Sequence, residues 1–172
     1  MDKTIKIGVG GGCHWCTEGI FSSVRGVTQV RQGWIGARAP DEQLSEAILL
    51  EYDPEVLDLE TLVSIHLHSH SSTKWHSMRH KYRSAVYVFS PEQELVSSLA
   101  ISSLAKEFDE PIITQVLFHE RFVLNQKNLL DYYHSNTERP FCKNYISPKL
   151  KALKERYTTA FDPQKLAHLN DC

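Results

Sequence analysis

Apolar and polar residues alternate from Ile5 to Val9, the period of a half-buried strand, before the chain enters Gly10-Gly11-Gly12. From Cys16 the period changes: Ile20, Phe21 and Val24 recur at helical spacing and Gly26 supplies a stop. Thr28 to Trp34 reads as a second strand, and the polar stretch GARAPDEQ as a short surface loop. Glu46 to Tyr52 is nearly all apolar and ends at Asp53-Pro54, which fits a buried strand. Leu59 to Leu67 places Leu59, Leu62, Val63 and His66 on one helical face, and HLHSHSSTKWHSMRHKY follows as a long polar loop. Ser84 to Phe89 is the next strand, and Pro91 opens a helix reaching about Phe108. Ile112 to Phe118 predicts a strand, Val123 to Tyr133 a helix packed through Leu129, Leu130 and Tyr133, and Ser147-Pro148 caps a basic helix, PKLKALKERY.

Strands and helices interleave without a regular βαβ order, and the strands on either side of GARAPDEQ suggest antiparallel pairing. The expectation is an α+β fold, a ferredoxin-like two-layer sandwich with a mixed, mostly antiparallel sheet covered by helices. No repeat or linker divides the chain, so residues 1–156 are expected to form a single domain, with 157–172 a loosely held C-terminal tail.

Composition narrows the classes of function. At 172 residues, 41% apolar and 23% charged, the chain has the balance of one globular domain with a sizeable core. A formal net charge of -2 argues against a nucleic-acid partner. No apolar run is long enough to span a bilayer, and MDKTIKIGVG lacks the apolar region of a secretory signal, so no membrane partner and a cytoplasmic location are expected. Four cysteines, Cys13, Cys16, Cys142 and Cys172, are too sparse for a disulfide scaffold, which leaves catalysis or metal binding.

The chemistry concentrates in GVGGGCHWCTEGIF. A cysteine attacks as its thiolate, and a helix beginning near Cys13 would offer free backbone N–H groups and a favourable dipole to that charge. The glycines before it leave room for a substrate to approach. Cys16 stands one turn further, so a Cys13-Cys16 dithiol couple of C-x-x-C type is a second reading, and simple packing of Cys16 a third. Cys13 and Cys16 with two of His66, His68, His70, His76 and His80 would also make up a zinc set, although their spacing is not the tight one of structural zinc sites.

GGGCHWCTEGIFSSVRGVTQVRQGWIG resembles the signature of the type A peptide methionine sulfoxide reductases, and the resemblance continues in order through SEAILLEYDP, KYRSAVYVF and RPFCKNYISPKL, over roughly residues 5 to 155. It implies thiol-dependent reduction of methionine-S-sulfoxide, peptide-bound or free, with no cofactor and no metal. Cys13 would be the nucleophile and would remain as a sulfenic acid once methionine departs. Glu46, expected to be buried and so to retain its proton, would be the acid, and the Tyr82 hydroxyl would help to hold the sulfoxide oxygen. Trp15 would wall the pocket for the substrate methyl group. Cys142 would resolve the sulfenic acid as a disulfide, for thioredoxin or another thiol reductant to reduce, with Cys16 as a rival and Cys172 as an outward relay. The chain departs from the family pattern in the pocket: His14 stands where phenylalanine is usual, Trp34 replaces a tyrosine, Ser77 an aspartate, and Leu129-Leu130 a His-Gln pair.

Overall fold

The computed structural model describes residues 3–171. Five strands, β1 (Ile5–Gly10), β2 (Val27–Ala37), β3 (Ser45–Tyr52), β4 (Ala85–Val88) and β5 (Gln115–Leu124), run in the spatial order β1-β3-β2-β5-β4 and close into a barrel. The helices are α1 (His14–Phe21), α2 (Leu59–Ser69), α3 (Pro91–Leu104), a single turn α4 (Tyr132–Ser135) and α5 (Ser147–Arg156). All pairings are antiparallel except β4 with β5.

The closed barrel overturns the ferredoxin-like sandwich, which would be an open sheet. Closure depends on β4, which pairs antiparallel with β1 and parallel with β5, and on the length of β5. Gln115 to Phe118 pairs with β4, whereas His119 to Leu124 pairs with β2, so one strand turns the corner between two neighbours. The sequence pattern predicts a strand over Ile112–Phe118 and a helix over Val123–Tyr133, whereas β5 runs on to Leu124 and its second half completes the ring. Leu129, Leu130 and Tyr133 lie instead on a short 3₁₀ turn, its end and α4.

Alternation along the strands divides the interior. Ala85 and Tyr87 join Ile35, Ala37 and Ala47 in a small cluster that fills the barrel, while Val86 and Val88 join Ile7, Val9, Ile48 and Leu50 in the large core beneath the helices. Gly8 belongs to the narrow side: a Cβ there would lie 2.6 Å from the Ile35 side chain.

The segment after α5 is not loosely held. Phe161, Leu166 and Leu169 are buried in the main core, Lys165 Nζ donates to the Ser22 carbonyl at 2.6 Å, and a 3₁₀ turn covers Ala167–Asp171.

Candidate functional site

β1 ends at Gly10, and Cys13 is the N-cap residue of α1, with extended backbone angles of φ -57° and ψ 128°. Its carbonyl accepts the first helical hydrogen bonds, from the N–H groups of Cys16 at 3.1 Å and Thr17 at 3.2 Å. Its sulfur is acted on by the Cys16 thiol and by the backbone N–H groups of Trp15 and Cys16 at the start of the helix. The Cys16 contact is the largest influence and holds the Cys13 thiol below its usual range, against burial and the charge of Glu46, which push it up. Cys16 is driven far up by the same contact and by burial, so the pair consists of an electron-rich sulfur at 13 and a retained proton at 16.

Gly11 and Gly12 serve different needs. A Cβ on Gly11 would lie 2.4 Å from the His70 ring, so the ring packs on bare backbone there. At Gly12 the nearest atom would be 3.9 Å away, and the space remains open. Cys13 and Gly12 face an open cleft of about 540 Å3, also lined by His70, Ser77, Tyr82 and Lys149. The histidine-rich loop forming its far wall is held by Arg79, whose guanidinium donates to the carbonyls of Gly11 at 2.8 Å, Tyr82 at 2.9 Å, Lys74 at 2.9 Å and Ser71 at 2.5 Å.

Glu46 lies on β3 opposite Trp34 and is 7% exposed. Its Oε2 accepts the His14 backbone N–H at 3.2 Å, and Lys81 Nζ stands 3.7 Å from Oε1. It hydrogen-bonds the first residue of α1 and acts electrostatically on Cys13, but like Trp15 and Trp34 it is not part of the cleft wall. His14 does not line the cleft. It is 4% exposed and turned inward, with Nδ1 2.9 Å from the Gly33 carbonyl. A carbonyl only accepts, so Nδ1 carries the hydrogen and Nε2 offers its lone pair to Asn125 Nδ2 at 3.4 Å. Asn125 donates to Gln32 Oε1 at 2.6 Å, and Gln32 donates to Glu18 Oε1 at 2.8 Å. Glu18 also accepts the N–H groups of Asp131 and Tyr132, each at 3.0 Å. A buried polar chain therefore runs from Glu18 to His14, whose backbone holds Glu46. The sequence reading missed it, although His14 and Glu18 stand four apart on a helix, the spacing of one face.

The other expected residues are dispersed. Tyr82 lines the cleft, with the Lys81 ammonium 5.1 Å from its ring centroid. Trp15 is stacked on Tyr132 at 4.2 Å and meets the Phe141 ring edge-on at 5.8 Å, while Trp34 meets His14 edge-on at 5.2 Å. Neither tryptophan is part of the cleft wall. Cys142 is completely buried and lies not on a loop but in a turn of π-helix, Cys142–Ile146, that continues into α5. Burial raises its thiol, and its charge acts on Cys16, within whose core cluster it packs. Cys172 lies outside the described residues.

Among the described residues no three His, Cys, Asp or Glu side chains converge as metal ligands. His70 spends both nitrogens: Nδ1 donates to the His66 carbonyl and Nε2 accepts from Ser84 Oγ, each at 2.7 Å. Burial holds its ring near pKa 4, so it is neutral at physiological pH. His68 bonds Glu107 at 2.8 Å instead of facing the cysteines. Among the described residues no helix is long and apolar enough to cross a membrane.

Residues 5–161 match the family model for peptide methionine sulfoxide reductase. The chain is 31% identical to the peptide methionine sulfoxide reductase MsrA of Chromobacterium violaceum, with 92% of this chain and 97% of that protein covered. It is 27% identical to the protein of the same name from Sulfolobus acidocaldarius, covering 87% and 93%. The fold superposes on reduced Mxr1 from Saccharomyces cerevisiae with a TM-score of 0.71 at 17% identity, over 83% of this chain and 91% of that one. It superposes on methionine sulfoxide reductase A of Corynebacterium diphtheriae with a TM-score of 0.67 at 22% identity, over 79% and 76%. A structure of Mxr1 in complex with Trx2 superposes with a TM-score of 0.59 at 17% identity, over 72% and 82%.

Proposed function

The chain belongs to the peptide methionine sulfoxide reductase family, and from that premise we propose how its residues divide the work. The protein is an oxidoreductase that reduces methionine sulfoxide to methionine at the expense of thiols, with thioredoxin as partner. In the proposed mechanism for the S-epimer, the Cys13 thiolate attacks the sulfoxide sulfur while Glu46 supplies the proton that the oxygen needs and the Tyr82 hydroxyl holds that oxygen. The oxygen ends on Cys13 as a sulfenic acid, so Cys13 is oxidised by two electrons and methionine leaves reduced. The Cys142 thiol then displaces water from the sulfenic acid to form a disulfide, and a reducing dithiol exchanges with it.

One observation carries this reading: Cys13 stands at the N-cap of α1 and opens on the cleft that Tyr82 lines, with the Glu46 carboxyl hydrogen-bonded to the first residue of that same helix. The test is to measure thioether formed from each epimer of a methionine sulfoxide peptide. Cys13→Ser is expected to abolish it, and Cys142→Ser to give about one equivalent per enzyme without turnover on thioredoxin. Equal residual turnover in the two variants would sink the assignment. A second reading rests on the influence of the Cys16 thiol on Cys13, one helical turn away: there Cys16 closes the first disulfide, and Cys16→Ser is as harmful as Cys142→Ser.

A cytoplasmic setting is proposed, where cellular thiols keep such reactive cysteines reduced between turnovers. Residues 1–156 are proposed as the reductase domain, with 157–172 a C-terminal tail whose described part packs back on it.

A further inference from the structure

Lys149 is unused by the chemistry above. It lies in the first turn of α5, is half-buried, and lines the Cys13 cleft across from Tyr82 and Ser77. Its charge acts on both Cys16 and His70, which places it within electrostatic reach of the reacting end of the cleft. Among the described residues no carboxylate pairs with it: Glu46, which acts on Cys13 from behind the cleft wall, is 3.7 Å from Lys81 instead, and no Asp or Glu is part of the wall itself. The other basic groups at the cleft are accounted for: Arg79 has its donors committed to four backbone carbonyls, Lys81 is paired with Glu46, His70 is neutral, and His76 is held below the ordinary imidazole value by burial and the Arg79 charge, which leaves Lys149 as the uncommitted positive charge of the wall.

A half-buried ammonium without a counter-ion, facing a cavity, is a binding site for an anion. The sulfoxide itself is neutral, and its oxygen is already served by Glu46 and Tyr82. From these placements we infer that Lys149 is a specificity residue that binds a carboxylate on the substrate close to the sulfoxide, as carried by free methionine sulfoxide or by a chain ending in it. The inference deepens the reductase reading and rests on it. In such a substrate only the short side chain separates sulfur from carboxylate, so both ends fit a cleft of about 540 Å3 with the sulfur at Cys13 and the anion at Lys149.

The test compares N-acetylmethionine sulfoxide with its carboxamide, which has the same shape and no charge, using dithiothreitol as reductant. The wild-type enzyme is expected to favour the acid in kcat/KM. In Lys149→Gln the acid-to-amide ratio falls about tenfold, the size expected for one charge-assisted hydrogen bond. Lys149→Arg retains part of the preference, and rising salt erodes it in the wild type. If Lys149 only steadied the Cys13 thiolate or the fold, both probes would lose equally, and an unchanged ratio overturns the inference. A readout without turnover is protection of Cys13 from alkylation by N-acetylmethionine against its amide, followed by mass of the Cys13 peptide. Stronger protection by the acid, lost in Lys149→Gln, supports the anion site even if neither sulfoxide were reduced, a result that would sink only the reductase reading. Equal protection overturns the site.

Discussion

The sulfur of Cys13 is governed by its neighbour at position 16 more than by any charged group. Because the Cys16 thiol is the largest influence lowering it, Cys16→Ala is expected to move the midpoint of Cys13 alkylation against pH upward, toward the unperturbed thiol value of 9.0. Iodoacetamide rates across pH, read on the Cys13 peptide, check this. The buried chain beneath the site gives a second expectation. Asn125→Leu leaves Gln32 Oε1 without its donor and frees His14 Nε2, which is expected to cost about 1–3 kcal/mol in urea unfolding and to lower kcat through a loosened Glu46. Cys13, Glu46 and Tyr82 each sit in a short ordered motif, which is what singles them out in the sequence. His14 was misplaced for a physical reason: a histidine at the start of a helix reads as a pocket residue until a carbonyl and an amide, Gly33 and Asn125, are found to claim both its nitrogens.

Elements with strong local signals matched their expectations. α1 begins one residue after Cys13, α2 is capped by Asp58 accepting from Thr61, and Pro91 opens α3 behind the Ser90 cap. β5 did not, because QVLFHERFVLN mixes apolar and polar residues on a strand exposed for much of its length, where no clean period of two survives. The C-terminal segment misled for the opposite reason: its apolar residues are few, but Phe161, Leu166 and Leu169 are all buried. Leu166→Ala is therefore expected to cost about 2–5 kcal/mol, seen as a lower urea midpoint with an unchanged slope, whereas an unattached tail would show no change.

At the scale of the molecule, two buried histidines tie stability to pH. His66 and His70 are held well below the ordinary imidazole value of 6.5 by burial, His70 to about 4, and both His66 nitrogens lack a hydrogen-bond partner among the described residues. In that window the unfolded chain binds more protons than the folded one, so their contribution is complete above about pH 6.5 and is lost as pH falls toward 4. Unfolding free energy measured from pH 4 to 7 is expected to rise, and His66→Leu to flatten the rise while adding about 1 kcal/mol or more at neutral pH by removing an unsatisfied buried ring. The global arrangement was the least legible scale. The number of strands and their antiparallel bias followed from local patterns, but the partners of β4 depend on residues far apart in the chain, and a run such as AVYV carries no mark of which strand lies on either side.

That ring of strands also bears on how the enzyme meets its substrate. Among the described residues each strand is paired on both sides over at least part of its length, which leaves only short stretches of edge for an extended polypeptide to join as a further strand. On the proposed reading, the handle that the cleft at Cys13 offers a polypeptide is thus the oxidised side chain and the charge beside it rather than an added strand.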